Sequence, residues 1–190
     1  MGAGPILIIA GTNRPGSNTL RVAHLVERHY KVVGAPVEVF SLRDLPPEMF
    51  DPGSYAHKPP GVVELQRRVL DARGLHIVTP EYNGSFPGVL KYFIDMLKFP
   101  ESFEKRPVCF VGLGAGMWGA LRPVEQLQMI FGYRNAFLYP ERVFLPGIGG
   151  LLTEQGAFTD ADIAERLRNQ ATGYIEFVER LKGVKLRAAK

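Results

Sequence analysis

Residues 11–19, G-T-N-R-P-G-S-N-T, contain the residue types that proteins use to bind phosphate. Gly11 and Gly16 are separated by four residues, as in nucleotide-binding loops, and an apolar run precedes them. A helical pattern follows, and the free N–H groups and dipole at the start of a helix favour an anion. One positive and three neutral side chains add to the predicted phosphate site: Arg14, Ser17, Asn18 and Thr19.

Ser17 and Asn18 stand where a loop for nucleoside triphosphates has Lys followed by Ser or Thr. In such a loop the Lys neutralises the β and γ phosphates, and the hydroxyl group binds Mg²⁺. We therefore predict a loop for one monoester phosphate, held mainly by neutral hydrogen bonds, without Mg²⁺ and without phosphoryl transfer. The alternative is a capped helix after an ordinary turn.

A second segment, residues 79–97, reads T-P-E-Y-N-G-S-F-P-G-V-L-K-Y-F-I-D-M-L. Its Pro and Gly residues predict a stiff, irregular backbone, and Tyr82 and Phe86 offer flat apolar surfaces. Turn-rich backbone exposes N–H and C=O groups, which match the polar edges of a planar ring. The segment therefore predicts a site for such a ring, and the alternative is a tight turn that carries a core aromatic residue.

A third segment contains Gly114, Gly116 and Gly119 in the spacing G-x-G-x-x-G, between an apolar run and a helical pattern. This is the context of the dinucleotide-binding fingerprint. The motif lies on the fourth strand–helix unit, however, and Pro123 would interrupt the helix unless its first turn begins late. We favour a loop that borders the ligand of the other two segments over a true dinucleotide site.

Short apolar runs alternate with segments of helical period along the whole chain. Nearly unbroken apolar runs are typical of parallel strands that helices cover on both faces. The predicted strands are residues 5–10, 36–40, 75–79, 107–113 and 136–139, with 143–145 as an open extension of the last. Together with the intervening helices they predict an α/β, three-layer, doubly wound fold, whose ligands bind at the carboxyl ends of the strands.

The helical pattern is most regular in four places. Residues 18–33 are predicted to be capped by Ser17 or Asn18, and a further helix covers residues 62–73. Buried positions of a third helix are Leu90, Phe93, Ile94 and Leu97, and the last helix is predicted to start with Thr159 as its cap and to end at Leu181. Residues 45–61 are predicted to form a long loop, suited to an interface or a lid.

Charge, cysteine content and length narrow the class of protein. Four basic residues near the C-terminus account for the net charge of +4, so the rest of the chain is neutral and the composition argues against a nucleic-acid partner. We expect a single domain over residues 1–182, followed by a frayed basic tail at 183–190. The single cysteine, Cys109, lies in an apolar run and is predicted to be a buried, unreactive core residue.

No apolar stretch is long enough to cross a membrane, and we expect a cytoplasmic protein. The four histidines show no metal-ligand spacing, so no metal site is predicted. Packing at the surface or at strand ends is expected for each of them: His24, His29, His57 and His76.

The first and second segments together closely resemble the NADPH-dependent FMN reductase family, flavodoxin-like proteins that include azoreductases, quinone reductases and chromate-reducing enzymes. The resemblance rests on G-T-N-R-P-G-S-N-T and P-E-Y-N-G-S-F-P-G-V-L-K and extends over essentially the whole chain. It implies a five-stranded parallel sheet of order 2-1-3-4-5. It also implies bound FMN, NADPH or NADH as electron donor, and a homodimer or homotetramer with the flavin near a subunit interface.

The resemblance also assigns cofactor-binding residues. It implies that the phosphate lies against the first segment, the isoalloxazine ring against the second, and the third segment on the other side. The residues implied are Thr12, Arg14, Ser17, Asn18, Thr19, Pro80, Glu81, Tyr82, Asn83, Gly84, Ser85, Gly114, Ala115 and Gly116. Phe86, Tyr92 and the 45–61 loop are implied to reach a neighbouring subunit's site. Met117 and Trp118 depart from the smaller residues that are frequent in the family, which bears on the choice of substrate.

The expected reaction follows from the cofactor, because the flavin carries the chemistry and no catalytic acid–base pair is needed. We expect ping-pong hydride transfer from NADPH or NADH to FMN and then to a quinone, free flavin, azo compound or metal oxyanion such as chromate. Two alternatives are a flavodoxin-type electron carrier and a flavin-based redox sensor that signals to a protein partner. Electron carriers of that kind are usually acidic, and the neutral body of this chain argues against one.

Overall fold

The computed structural model describes residues 4–182 and contains one parallel sheet of five strands in the order β2-β1-β3-β4-β5. The strands are β1 (Ile6–Ala10), β2 (Val37–Ser41), β3 (Gly74–Pro80), β4 (Pro107–Leu113) and β5 (Phe137–Leu145). The predicted doubly wound fold and strand order are confirmed. Strand order reverses between β1 and β3, so a ligand crevice is expected at the carboxyl ends of these two strands.

Helices cover both faces of the sheet and bury two separate cores. Helices α1 and α6 pack on one face, and α2, α3 and α4 pack on the other. The helices are α1 (Asn18–Val32), α2 (Pro60–Asp71), α3 (Gly88–Asp95), α4 (Leu121–Tyr133), α5 (Ile148–Leu151) and α6 (Ala161–Leu181). Every residue of the three inner strands is buried, as their unbroken apolar sequences predict.

Strand β5 joins the two apolar runs that the sequence left separate. It pairs with β4 from Phe137 to Leu145, with an irregularity in register between Val108 and Phe110. The polar residues between the two runs therefore lie in an edge strand, where one side remains open to solvent. The open extension to residues 143–145 is thus confirmed.

Helix α2 begins at Pro60, two residues before its predicted start, and the cap of α6 also differs from the prediction. The cap of α6 is Asp160 and not Thr159, because the Asp160 carboxylate accepts hydrogen bonds from the N–H groups of both Asp162 and Ile163, at 2.9 and 3.2 Å. Helix α4 begins at Leu121 and includes Pro123 in its first turn. The first turn thus begins late, which is the condition under which the sequence allowed Pro123 in this helix, since N–H groups in the first turn have no partner within the helix.

The segment of residues 45–61 is more ordered than a plain loop. It contains two short 3-10 helices, Pro47–Phe50 and Pro52–Tyr55. Tyr92 on α3 contacts the segment in two ways. Its hydroxyl group donates a hydrogen bond to the carbonyl of Met49 at 2.8 Å, and its ring stacks on that of Phe50 with 5.0 Å between the centroids. The segment is therefore packed against α3.

His76 contradicts the expectation of surface or strand-end packing, because it lies inside β3 and is fully buried. Its Nδ1 atom is 2.7 Å from the hydroxyl oxygen of Tyr30, and its Nε2 atom has no hydrogen-bond partner among residues 4–182. Burial lowers the pKa of His76 to about 3, so the imidazole is neutral. The apolar sequence around His76 is the signal that indicated this burial.

Cys109 pairs with His76 in the sheet register and is also fully buried, as predicted. Burial raises the pKa of its thiol well above the ordinary value, so the reactive thiolate is suppressed. Among residues 4–182, no helix has the length and apolar character needed to span a bilayer. The predicted basic tail at 183–190 lies outside the described residues.

Candidate functional site

A cavity of about 370 Å³ lies at the carboxyl ends of β1, β3 and β4. Residues after each of these strands line it, so the chain brings the three predicted segments together. Backbone hydrogen bonds tie the first two segments to the neighbouring strands, from Gly11 N to Val78 O of β3 at 2.8 Å and from Glu81 N to Leu113 O of β4 at 3.0 Å. The cavity occupies the place that the strand order predicts for a ligand.

One end of the cavity is formed by the start of α1. Ser17 caps this helix, since its hydroxyl oxygen accepts a hydrogen bond from Leu20 N at 3.4 Å, and its own O–H group remains a donor. The first turn contains no acidic residue, and Gly16 has a φ of +64°, a conformation that favours glycine. Arg14 lines the same end and forms no ion pair within residues 4–182. This end is therefore suited to an anion.

A second wall of the cavity is formed by Pro80, Glu81 and Tyr82, which lead from β3 into a tight turn. Asn83 and Gly84 both have positive φ values, of 53° and 75°, which is the backbone of a type I′ turn. Tyr82 and Ser85 close the turn with reciprocal backbone hydrogen bonds of 2.8 and 3.1 Å. The Tyr82 hydroxyl group also hydrogen-bonds to the Thr12 side chain at 3.0 Å, which joins this turn to the anion-binding end.

The sequence profile of the NADPH-dependent FMN reductase family matches residues 5–149, which include all three segments. The chain belongs to this family. Family membership confirms the predicted flavoprotein oxidoreductase, with FMN as cofactor and NAD(P)H as electron donor.

Two curated relatives of the family are similar over most of the chain. A quinone reductase of Escherichia coli K12 is 29% identical over 93% of this chain and 96% of its own length. An FMN-dependent NADPH-azoreductase of Staphylococcus aureus (strain USA300) is 24% identical over 90% of this chain and 94% of its own. Among solved structures, the flavoenzyme FerB, an NAD(P)H:(acceptor) oxidoreductase of Paracoccus denitrificans, shares the fold, with a TM-score of 0.77, 20% identity and coverage of 94% and 98%.

Most of the FMN-binding residues implied by the family resemblance line the cavity: Arg14, Ser17, Asn18, Thr19, Pro80, Glu81, Tyr82, Gly114 and Ala115. The others lie outside its lining. Thr12 is buried and hydrogen-bonds to the Tyr82 hydroxyl group, and Ser85 donates a hydrogen bond from its hydroxyl group to Oε1 of Gln126 on α4, at 2.6 Å. Asn83 and Gly84 form the turn itself, and Gly116 lies further along the third segment.

Sequence reasoning missed the segment after β5. Ile148, in the short helix α5, lines the cavity, and its N–H group donates to the carbonyl of Gly114 at 3.1 Å. Leu113, Pro15 and Gly16 also line it without having been assigned. The signal for Ile148 was its place after the carboxyl end of the fifth strand, in the glycine-rich stretch of residues 147–150.

A second, larger cavity of about 590 Å³ lies between α3 and α4, away from the strand ends. We call it the α3–α4 groove, and its lining includes Phe86, Phe99, Gln126, Met129 and Tyr133. Phe99, Met129 and Tyr133 are large apolar side chains that remain mostly exposed. Because the groove lacks the anion-binding end of the smaller cavity, its size does not make it the better candidate for the FMN site.

Proposed function

We propose that the smaller cavity binds FMN with its phosphate at the start of α1 and its ring against residues 80–85. The convergence of these two walls in one cavity carries this proposal. The phosphate would be held by Arg14, Ser17, Asn18 and Thr19, which match a monoester because they supply hydrogen-bond donors and one positive charge. Tyr82 supplies a flat surface for the ring, and the Thr12 hydroxyl group holds its phenol in place.

We further propose that the chain is a reductase that passes electrons from NAD(P)H to a quinone or a similar two-electron acceptor. FMN bound in this cavity would supply the two-electron chemistry between the nicotinamide and the acceptor, and we expect donor and acceptor to use the same open face of the cavity in turn. The protein binds and orients the cofactor. The similarity to the quinone reductase over 93% of this chain supports the choice of acceptor.

Steady-state kinetics test this reaction scheme. We expect double-reciprocal plots for NADPH at several concentrations of a benzoquinone to be parallel, as in a ping-pong mechanism. Intersecting lines would contradict the shared site. An electron carrier without turnover of its own would oxidise NADPH no faster with the quinone than without it.

We also propose that the chain forms a homodimer through the α3–α4 groove. Three exposed apolar side chains border the groove, and exposed apolar patches of this kind mark association surfaces. Lys91 and Asp95 in the groove already pair with each other, at 2.7 Å, so the apolar side chains carry the proposed interface. Phe86 lies in the groove and directly follows the turn at residues 82–85, which would place the interface beside the flavin. A tetramer and a cytoplasmic location stay predictions of the sequence.

A further inference from the structure

Arg21 on α1 lies next to the proposed phosphate site but was not assigned to it. One of its guanidinium nitrogens donates to Asn18 Oδ1 at 3.0 Å, and the other donates to the carbonyl of Thr153 at 2.5 Å. Asn18 is the first residue of α1 and lines the cavity. The side chain of Arg21 thus connects a cavity residue to the segment that follows β5.

The contact with Arg21 fixes the orientation of the Asn18 amide. A guanidinium group carries only hydrogen-bond donors, so the atom that faces Arg21 must be the amide oxygen. The amide nitrogen therefore faces the other way, and it forms no hydrogen bond to any other residue in 4–182. Because Asn18 lines the cavity, this NH₂ group is available as a donor to an anion there.

The charge of Arg21 points to the same conclusion. Arg21 lies in the first turns of α1, where the helix dipole disfavours a cation, and this part of the helix has no acidic residue. Arg21 forms no ion pair within residues 4–182, since its partners are a neutral amide and a backbone carbonyl. A bound phosphate would supply the missing negative charge.

The second partner of Arg21 holds the guanidinium group in place. Thr153 belongs to a hairpin in which Leu152 and Phe158 pair as an antiparallel bridge. Its carbonyl oxygen also accepts a hydrogen bond from Gly156 N at 3.0 Å. Arg28, two helical turns further along α1, reaches the same hairpin through the carbonyl of Gly156 at 3.4 Å but does not contact Asn18.

We propose that Arg21 is a positioning residue for phosphate recognition: it orients the Asn18 amide so that its NH₂ group donates to the phosphate of FMN. This inference rests on the proposed placement of the phosphate at the start of α1. It predicts that Arg21 contributes to FMN binding only through the phosphate group and has no role in binding the flavin ring.

The test compares the dissociation constants of FMN and riboflavin, which lacks the phosphate, by quenching of flavin fluorescence. We expect Arg21→Met to raise the dissociation constant of FMN about tenfold, the loss of roughly one hydrogen bond to a charged group. The dissociation constant of riboflavin should stay within about twofold, since only the phosphate contact is lost. In an Asn18→Ala background, Arg21→Met should have a clearly smaller effect on FMN binding than in the unsubstituted chain, because the oriented amide is already absent and only the charge of Arg21 is lost.

Arg28→Met is the matched control, since Arg28 holds the same hairpin without touching Asn18. It should leave both dissociation constants unchanged. An equal loss of FMN and riboflavin binding in Arg21→Met, or an equal loss of FMN binding in Arg28→Met, would overturn the proposal. If the unsubstituted chain binds FMN no more tightly than riboflavin, the phosphate site itself is wrong. If it prefers FMN and Arg21→Met keeps that preference, only the role of Arg21 fails.

Discussion

At the scale of single residues, the proposed site separates binding from chemistry. Arg14 and Ser17 contribute a charge and a hydroxyl group at one end, and Tyr82 contributes a flat surface at the other. Ser17 has a second task, since it also caps α1. No side chain of the cavity is needed as a proton donor or acceptor for hydride transfer. Substitutions there should therefore lower the amount of bound FMN, and the FMN that remains bound should still be reduced.

The double variant Arg14→Ala with Ser17→Ala should lose FMN and remain folded. It removes the positive charge and one donor of the phosphate end, and loss of the helix cap costs only about 1 kcal/mol. Flavin absorbance per protein after purification measures the cofactor, and circular dichroism measures the fold. Arg166→Ala, at an exposed position on α6, is the control that should keep its flavin. Retention of stoichiometric flavin by the double variant would refute the phosphate assignment.

His76 should make stability depend on pH. Its pKa is about 3 in the folded chain and 6.5 ordinarily, so below pH 6.5 the unfolded chain binds a proton that the folded chain does not. The stability that depends on the neutral His76 imidazole is fully present above pH 6.5 and is lost progressively as the pH falls toward 3. Between pH 7 and pH 5, His76 should lower the unfolding free energy by about 2 kcal/mol.

The variant His76→Leu isolates this contribution. Urea unfolding at pH 7 and pH 5 should show a smaller decrease in unfolding free energy for His76→Leu than for the unsubstituted chain. His29, whose pKa is also lowered by burial, contributes the same sign of dependence in both. His57→Leu, at an exposed position, is the control and should show the same decrease in unfolding free energy between pH 7 and pH 5 as the unsubstituted chain. An identical decrease in His76→Leu would show that the buried imidazole is not neutral.

At the scale of elements, α6 depends on a close approach to the sheet edge. A Cβ atom at Gly173 would overlap the hydroxyl oxygen of Tyr139 on β5. The ring of Tyr139 is held between Tyr174 and Phe177, with centroids at 5.6 and 5.4 Å, so it has little room to move. The glycine is therefore required by packing, although it lies inside a helix.

Gly173→Ala should accordingly destabilise the chain by about 1–3 kcal/mol. Adding Tyr139→Phe removes the overlapping oxygen and should recover most of the loss. Chemical denaturation of the two single variants and the double variant measures this coupling. Gly132→Ala on α4 is the matched control, because its Cβ would meet only Leu138, at 3.8 Å, and Ala favours a helix. If Gly132→Ala and Gly173→Ala have the same effect, the contact with Tyr139 does not matter.

The elements also show what sequence patterns can and cannot predict. Strands and most helices followed from apolar period, and the Asn83–Gly84 turn followed from residue type, because these features depend on local conformation. Ile148 was missed as a cavity residue, since its surroundings come from distant parts of the chain, whereas the burial of His76 was indicated by its apolar neighbours in sequence and was overlooked. Thr159 and Asp160 are adjacent and both are common helix caps, so the sequence does not decide between them; the backbone conformation does. Arg21 was missed because its partner Thr153 is far away in sequence.

At the scale of the whole molecule, the two sheet faces should differ in their tendency to associate. The α3–α4 groove presents Met129 and Tyr133, which are 68% and 78% exposed. Val32, at the end of α1, is 84% exposed but belongs to the other layer and stands outside the groove. All three side chains are strongly exposed, but only Met129 and Tyr133 line the groove, so we expect only these two to contribute to association.

Met129→Glu with Tyr133→Glu should convert a dimer into a monomer, since charges in an apolar interface lack partners. Sedimentation velocity over a range of protein concentrations measures the oligomeric state. Val32→Glu should leave the dimer intact. A dimer that withstands both groove substitutions, or an unsubstituted chain that is monomeric throughout, would contradict the proposed interface.

We propose that this member of the NADPH-dependent FMN reductase family holds FMN in the cavity at the ends of β1, β3 and β4 and reduces it with NAD(P)H. The most direct measurement is the visible absorption spectrum of the purified chain before and after anaerobic addition of NADPH. We predict the two bands of oxidised flavin before addition, their loss afterwards, and their return when a quinone is added. If the purified chain is reconstituted with FMN and neither NADPH nor NADH changes its flavin bands, the chain does not reduce FMN at this site.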